Sequence, residues 1–114
     1  MNYPLAYIEL SKKNLINNIK QLKNLADKSK IVAVIKANAY GHGVIEVAKV
    51  LAPYADYFAV NSFHELELLR EVTKKKTFVL GYVEKTDLPK AMKLGCILSV
   101  FSKEIQKLDE IKEY

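Results

Sequence analysis

The sequence has few of the residues that staple a small protein or anchor it in a membrane. Its 114 residues contain no tryptophan and one cysteine, Cys96, in the apolar context GCILSV. A lone cysteine excludes a disulfide framework and is typical of a buried, reduced thiol in the cytoplasm. No apolar run approaches the roughly 18 residues of a membrane span, and MNYPLAYIEL lacks the features of a secretion signal. We therefore expect one small cytoplasmic domain with no membrane partner.

Positive charge is in modest excess, with 18 Lys and Arg against 13 Asp and Glu and a formal net charge of +5. The lysines are scattered at helical spacings, and the one run, residues 74–76, has no aromatic residues interleaved for base stacking. We interpret that run as a solvated connection and expect no nucleic-acid partner. A hydrophobic content of 50% is ordinary for an α/β protein.

Short apolar runs alternate with amphipathic segments along the chain. The predicted strands are a short one within Tyr3–Leu10, then Ile31–Ile35, Tyr57–Val60, Thr77–Leu80 and Ile97–Val100. Helices are predicted after Ser11, from Val44 to Leu51, after Ser62, near Asp87 and after Ser102. Buried strands that alternate with helices indicate a parallel sheet.

One stretch, residues 33–43, combines strand, lysine and turn in the string AVIKANAYGHG. The run Ile31–Ile35 predicts a strand buried on both faces, which places Lys36 at its carboxyl end, where α/β folds bind ligands. A lysine amine beside apolar walls is a nucleophile that forms Schiff bases with carbonyl compounds, including pyridoxal phosphate (PLP). Position alone also fits a lysine that only closes the strand and extends to solvent.

The string VIKANAYGHG closely resembles the PLP-lysine motif of alanine racemases, which are fold-type III PLP enzymes built on a (β/α)8 TIM-type barrel. The segments AYIELSKKNLINNIKQLK, YFAVNSFHELELLREV, TFVLGY and ILSVFS resemble successive units of the same family. The resemblance covers essentially the whole chain and about the first third of the family's length. It implies that residues 1–114 are the N-terminal part of a barrel domain that is truncated here. It also implies that AYIEL pairs with a C-terminal β-domain that this chain does not contain.

The resemblance also implies a function and its residues. The family interconverts L-alanine and D-alanine for peptidoglycan supply, with PLP as cofactor and a homodimer as the complete enzyme. Lys36 is then the catalytic residue, which binds PLP and moves a proton at the substrate α-carbon. Tyr40 hydrogen-bonds the cofactor phosphate, and Leu80 lines the cofactor ring. From position alone, Tyr40 could instead cover the barrel mouth and Leu80 could be a core leucine.

Other residues of the turn are assigned to its geometry. Gly41 and Gly43 are expected to provide positive φ or close approach. Asn38 is expected to hold the loop by hydrogen bonds from its side chain to the backbone. His42 is given a loop or cap role, because nothing pairs it with a carboxylate. No metal site is predicted.

Several groups that the family's reaction requires are missing from this sequence. The family's second acid–base group, its cofactor-binding arginines and its later phosphate-binding segment have no counterpart here, so we expect the 114 residues alone to be inactive. A related racemase of serine or broader specificity, a PLP-binding protein of the same barrel type and an inactive fragment remain alternatives. For the fold, the alternative is a stand-alone doubly wound domain.

Overall fold

The computed structural model of the chain describes residues 4–103, which form a sheet of four parallel strands in the order β1-β2-β3-β4. The strands are β1 (Val32–Val34), β2 (Tyr57–Val60), β3 (Thr77–Val79) and β4 (Cys96–Leu98). The helical segments are α1 (Lys12–Ala26), α2 (Lys36–Tyr40), α3 (Val44–Leu51), α4 (Phe63–Arg70) and α5 (Leu88–Lys93). The predicted alternation is confirmed, although β4 begins one residue earlier than predicted.

The helices pack on one face of the sheet. Each crossover leads to the next strand in the same direction, and because parallel crossovers are almost always right-handed, they all fall on the same side. On that side Phe58, Val60 and Val79 are fully buried and share one core with Leu66 and Leu69 of α4. A doubly wound sheet carries helices on both faces, whereas a barrel carries them on one. The doubly wound alternative is therefore wrong, and the sheet is barrel-type.

The second face of the sheet is open. Val34, Ala59, Phe78 and Ile97 pair in one row across it. On this face Val32 and Val34 of β1 remain 39% and 41% exposed. The prediction that the first strand is buried on both faces is therefore wrong, because β1 lies at the sheet edge and no described helix covers its second side.

Two helix N-termini have the predicted side-chain caps, whereas Asp87 precedes α5 without a capping hydrogen bond from its side chain. Ser11 accepts the Asn14 N–H through its side-chain oxygen at 3.2 Å and begins α1. Ser62 and Glu65 form the predicted capping box at the start of α4. No described helix is long and apolar enough to cross a membrane.

The predicted N-terminal strand is not observed. Residues 4–10 form no strand, and the side chains of Tyr7 and Ile8 are exposed. A strand needs a neighbour for its backbone N–H and C=O groups, and no described strand lies beside this segment. The helix predicted after Ser102 lies outside the described residues.

The backbone reverses its handedness directly after β1. Residues 37–40 have φ between 51° and 56°, so that α2 is a single left-handed turn. For residues other than glycine this conformation costs about 1–2 kcal/mol per residue in a left-handed helix. Positive φ at Gly41 (89°) and Gly43 (97°) is confirmed, but its extension to four preceding residues was not predicted.

Hydrogen bonds with the residues that follow it hold the left-handed turn. The Asn38 side chain accepts the Val44 N–H at 2.9 Å, and the Asn38 carbonyl accepts the Gly43 N–H at 2.8 Å. The His42 ring lies with Nδ1 3.0 Å from the Ala39 carbonyl oxygen. The expected loop roles of Asn38 and His42 are thereby confirmed. Asn38 also caps α3, because Val44 is its first residue.

The Asp56 side chain holds the segment just before β1 by a hydrogen bond and an ion pair. The Asp56 carboxylate accepts the Ile31 N–H at 2.7 Å, and its other oxygen lies 3.9 Å from the Lys30 ammonium. The Ile31 N–H lowers the pKa of Asp56 below its ordinary value, against a smaller opposing effect of desolvation. Nearby ammonium groups lower this pKa further; they belong to Lys23, Lys30 and Lys75.

Replacing Asn38 by alanine should destabilise the protein. Asn38→Ala removes the acceptor of the Val44 N–H, and loss of a helix cap costs roughly 0.5–2 kcal/mol. Urea denaturation measures the change. Asn17→Ala, on the exposed side of α1, is the control and should change stability little. Equal stability losses for the two variants would contradict a capping role for Asn38.

The stability contributed by Asp56 should depend on pH. A carboxyl group whose pKa is lowered on folding stabilises the native state above its unfolded pKa of about 4, and this contribution disappears as the pH falls through the folded pKa. Asp56→Asn should therefore be less stable than the wild type at pH 7, with the gap narrowing below about pH 4. Urea midpoints measured from pH 7 to pH 3 test this, with Glu71→Gln as a control for the loss of one exposed charge. A difference in stability between Asp56→Asn and the wild type that does not change with pH would contradict this contribution of Asp56.

Candidate functional site

Lys36 lies two residues beyond β1, at the carboxyl edge of the sheet. The N–H of Ile35, the residue before it, donates to the Ala59 carbonyl at 2.9 Å and continues the pairing of β1 with β2. The left-handed turn begins immediately after it. The half-buried Lys36 side chain thus leaves from a backbone that is held by the sheet on one side and by the turn on the other.

Tyr40 is the last residue of the same left-handed turn, with φ of 56°. Its side chain is 60% exposed, so a ligand can reach its hydroxyl group. Lys36 and Tyr40 are the first and last residues of α2, so both leave from the same turn at the strand end. The structure therefore brings two of the three predicted site residues together.

Leu80 lies at the same edge of the sheet but two strands away from Lys36. It follows β3 directly, donates its N–H to the Val60 carbonyl at 2.8 Å and is 39% exposed. The next residue, Gly81, passes so close to the residue after β2 that a Cβ atom there would clash with the Asn61 carbonyl oxygen. Leu80 is therefore held at the rim of the open face, separated from Lys36 by β2.

Glu65 joins the left-handed turn to the neighbouring strand end, and sequence analysis missed this contact. Its Oε1 atom accepts the Ala37 N–H at 2.9 Å. Its Oε2 atom accepts the N–H groups of Asn61, at 2.5 Å, and Ser62, at 3.3 Å. The capping-box spacing identifies the Ser62 contact, but no local pattern indicates the contact with Ala37, which is 28 positions away.

The other unusual polar side chains lie at the amino ends of β3 and β4, opposite the candidate site. Arg70 donates to the carbonyl oxygens of Leu94 (2.6 Å) and Gly95 (3.0 Å), and partial burial lowers its pKa. Cys96 is buried with its Sγ 3.2 Å from the Ala91 carbonyl oxygen, and burial raises the pKa of its thiol. Among the described residues no group of three His, Cys, Asp or Glu side chains is placed to hold a metal ion.

Known proteins of one family are similar to this chain in sequence and in structure. The family model described as "Alanine racemase, N-terminal domain" matches residues 10–113. The biosynthetic alanine racemase of Escherichia coli O6:H1 is 43% identical over 86 residues, which cover 74% of this chain and 24% of that protein. The chain thus spans about a quarter of the length of the curated relatives it matches.

Solved structures agree with this assignment. The crystal structure of alanine racemase from Oenococcus oeni superposes with a TM-score of 0.79 at 28% identity, covering 87% of this chain and 28% of that one. The enzyme from Bacillus anthracis, solved with bound L-Ala-P, gives a TM-score of 0.76 at 32% identity over 86% of this chain and 28% of that one. The motif around Lys36, the one-sided parallel sheet and these similarities lead to one conclusion: the chain belongs to the alanine racemase family and corresponds to the N-terminal part of its barrel domain.

Proposed function

We propose that the chain is the cofactor-attachment part of a PLP-dependent alanine racemase, an isomerase of L- and D-alanine, with Lys36 as its catalytic residue. The observation that carries this proposal is the position of Lys36. It stands at the carboxyl end of the first barrel strand, at the start of a left-handed turn that also contains Tyr40. The relatives named alanine racemase supply the reaction class.

The residues present supply some of the contacts that a PLP site needs. The half-buried Lys36 provides an amine for the cofactor aldehyde, and the accessible Tyr40 hydroxyl can donate a hydrogen bond to its phosphate. Leu80 supplies an apolar rim for the ring. Arg70, the arginine of this sequence, is bound to carbonyl groups at the other end of the sheet. We therefore propose that further contacts with the phosphate and the pyridine nitrogen come from other parts of the enzyme.

Lys36 is suited to hold and move a proton. When bound, PLP withdraws electrons from the substrate α-carbon and makes its proton acidic. The Lys36 amine, released when substrate takes its place, would take up that proton or return it on one face of the α-carbon. Such transfer requires the amine to stay within hydrogen-bonding reach of that carbon, and a backbone fixed on both sides of Lys36 provides this.

The complete reaction needs more than these residues. Racemisation requires a second acid–base group on the opposite face of the α-carbon. We propose that this group, the remaining cofactor contacts and the closing barrel strands belong to a longer racemase that acts as a homodimer, so that these 114 residues alone do not racemise alanine. An eight-stranded barrel needs four strands beyond those described here. We place the enzyme in the cytoplasm, where it would supply D-alanine for peptidoglycan, in keeping with its reduced, buried Cys96.

Attachment of PLP at Lys36 is the direct test. The purified chain is titrated with PLP, reduced with borohydride and mapped by mass spectrometry. We expect the adduct at Lys36, its loss in Lys36→Arg, which keeps the charge but not the reactive amine, and its retention in the surface variant Lys49→Arg. Labelling scattered over the other lysines of the wild type would refute the proposed site.

Removing the Tyr40 hydroxyl should weaken cofactor binding. A hydrogen bond to a charged group contributes about 1.5–3 kcal/mol, so Tyr40→Phe should raise the dissociation constant of PLP roughly 10- to 100-fold. Titration followed by absorbance measures it. Tyr54→Phe, which keeps the ring beneath Lys20, is the control and should bind PLP like the wild type. An unchanged dissociation constant in Tyr40→Phe would remove Tyr40 from the phosphate site.

A further inference from the structure

The Glu65 carboxylate reaches an N–H group far from its own helix, a contact that helix capping does not require. In a capping box this side chain accepts the backbone N–H at the start of its own helix. The Oε2 atom alone meets that need, because it accepts the N–H groups of Asn61 and Ser62. The Oε1 atom is thereby available to a different part of the chain, and it accepts the Ala37 N–H at 2.9 Å.

The Ala37 N–H belongs to the peptide bond that links Lys36 to the left-handed turn. Within the turn, the Ala39 N–H donates to the Ile35 carbonyl at 3.0 Å, whereas the Ala37 N–H is at the beginning and has no turn carbonyl behind it. Glu65 supplies the acceptor for this N–H. Because Ala37 has φ of 51°, the orientation of this peptide bond decides whether the chain enters the left-handed region directly after Lys36.

We propose that Glu65 is a positioning residue for Lys36. Its carboxylate ties the peptide bond after Lys36 to the carboxyl end of β2 and so fixes the direction in which the lysine side chain leaves the backbone. The proposal rests on the proposed function only for the identity of the ligand at Lys36. The contacts themselves belong to the free chain.

The substitution Glu65→Gln separates the two roles of this side chain. Glutamine is accepted at this position of a capping box, but its amide has one acceptor oxygen in place of two. Since two N–H groups lie on the capping side and one on the Ala37 side, we expect the oxygen to keep the cap and the NH₂ group to face Ala37. Glu67→Gln is the matched control, because it removes the same charge from α4 at a residue that pairs with His64 at 4.0 Å.

Two readouts on the purified chain test the proposal. The first is hydrogen exchange of the Ala37 amide measured by NMR without cofactor. The second is the dissociation constant of PLP, from absorbance, with the adduct mapped after reduction. In Glu65→Gln the exchange rate of the Ala37 amide and the dissociation constant of PLP should each rise about tenfold, the order expected for one hydrogen bond to a charged group. The midpoint temperature of thermal unfolding should stay close to that of Glu67→Gln. Faster Ala37 exchange with unchanged PLP affinity would make Glu65 purely structural and overturn the proposal.

The outcomes separate this inference from the proposed function. If the wild-type chain forms no adduct at Lys36, the proposed function fails. The positioning role of Glu65 is then tested by the exchange rate of the Ala37 amide alone, and an unchanged rate in Glu65→Gln overturns it. If Glu65→Gln does not fold, Glu65→Asp replaces it. Aspartate keeps the charge but is one methylene shorter and does not span both sides. Glu65→Asp should raise the exchange rate of the Ala37 amide as Glu65→Gln does, and a wild-type rate in that variant would refute the positioning role of Glu65.

Discussion

The left-handed turn of residues 37–40 is the constraint on which the candidate site depends. Four consecutive non-glycine residues occupy the left-handed region, which costs about 1–2 kcal/mol per residue for most side chains and less for asparagine, so contacts outside the turn must compensate. These contacts come from Asn38 to the start of α3, and from Glu65 at the start of α4. The position of Lys36 is therefore determined jointly by the turn and the two helices that follow it.

The one-sided sheet places the left-handed turn beside an open apolar face. With its helices on one face, the sheet leaves Val34, Phe78 and Ile97 on an open apolar surface, and Lys36 and Leu80 lie at the carboxyl edge of that surface. The amino edge instead holds Arg70 and Cys96, whose hydrogen bonds are with carbonyl groups of the fold and, for Arg70, also with the Thr77 hydroxyl. Structural contacts and candidate chemistry thus occupy opposite ends of the same strands, as in barrel enzymes generally.

The elements that the sequence predicts correctly are those determined by local interactions. The bounds of α3 follow from apolar periodicity, and the start of α4 follows from the Ser62 capping box. The elements that the sequence predicts wrongly are those whose pairing or burial depends on a neighbouring element. Residues 4–10 have strand-like composition but no described strand beside them, and β1 has a strand's sequence but one uncovered face. In both cases burial depends on a neighbour that a local pattern does not reveal.

The sequence by itself determined the order of the elements, the place of Lys36 at a strand end and the family, because periodicity, caps and a contiguous motif are short-range properties. Only the tertiary structure decided three further points: the handedness of residues 37–40, the open face of the sheet and the reach of Glu65 to Ala37. Each of these depends on which distant segments lie side by side. A carboxylate 28 positions away in sequence supplies the acceptor at the start of the turn, and no pattern within the turn encodes that contact.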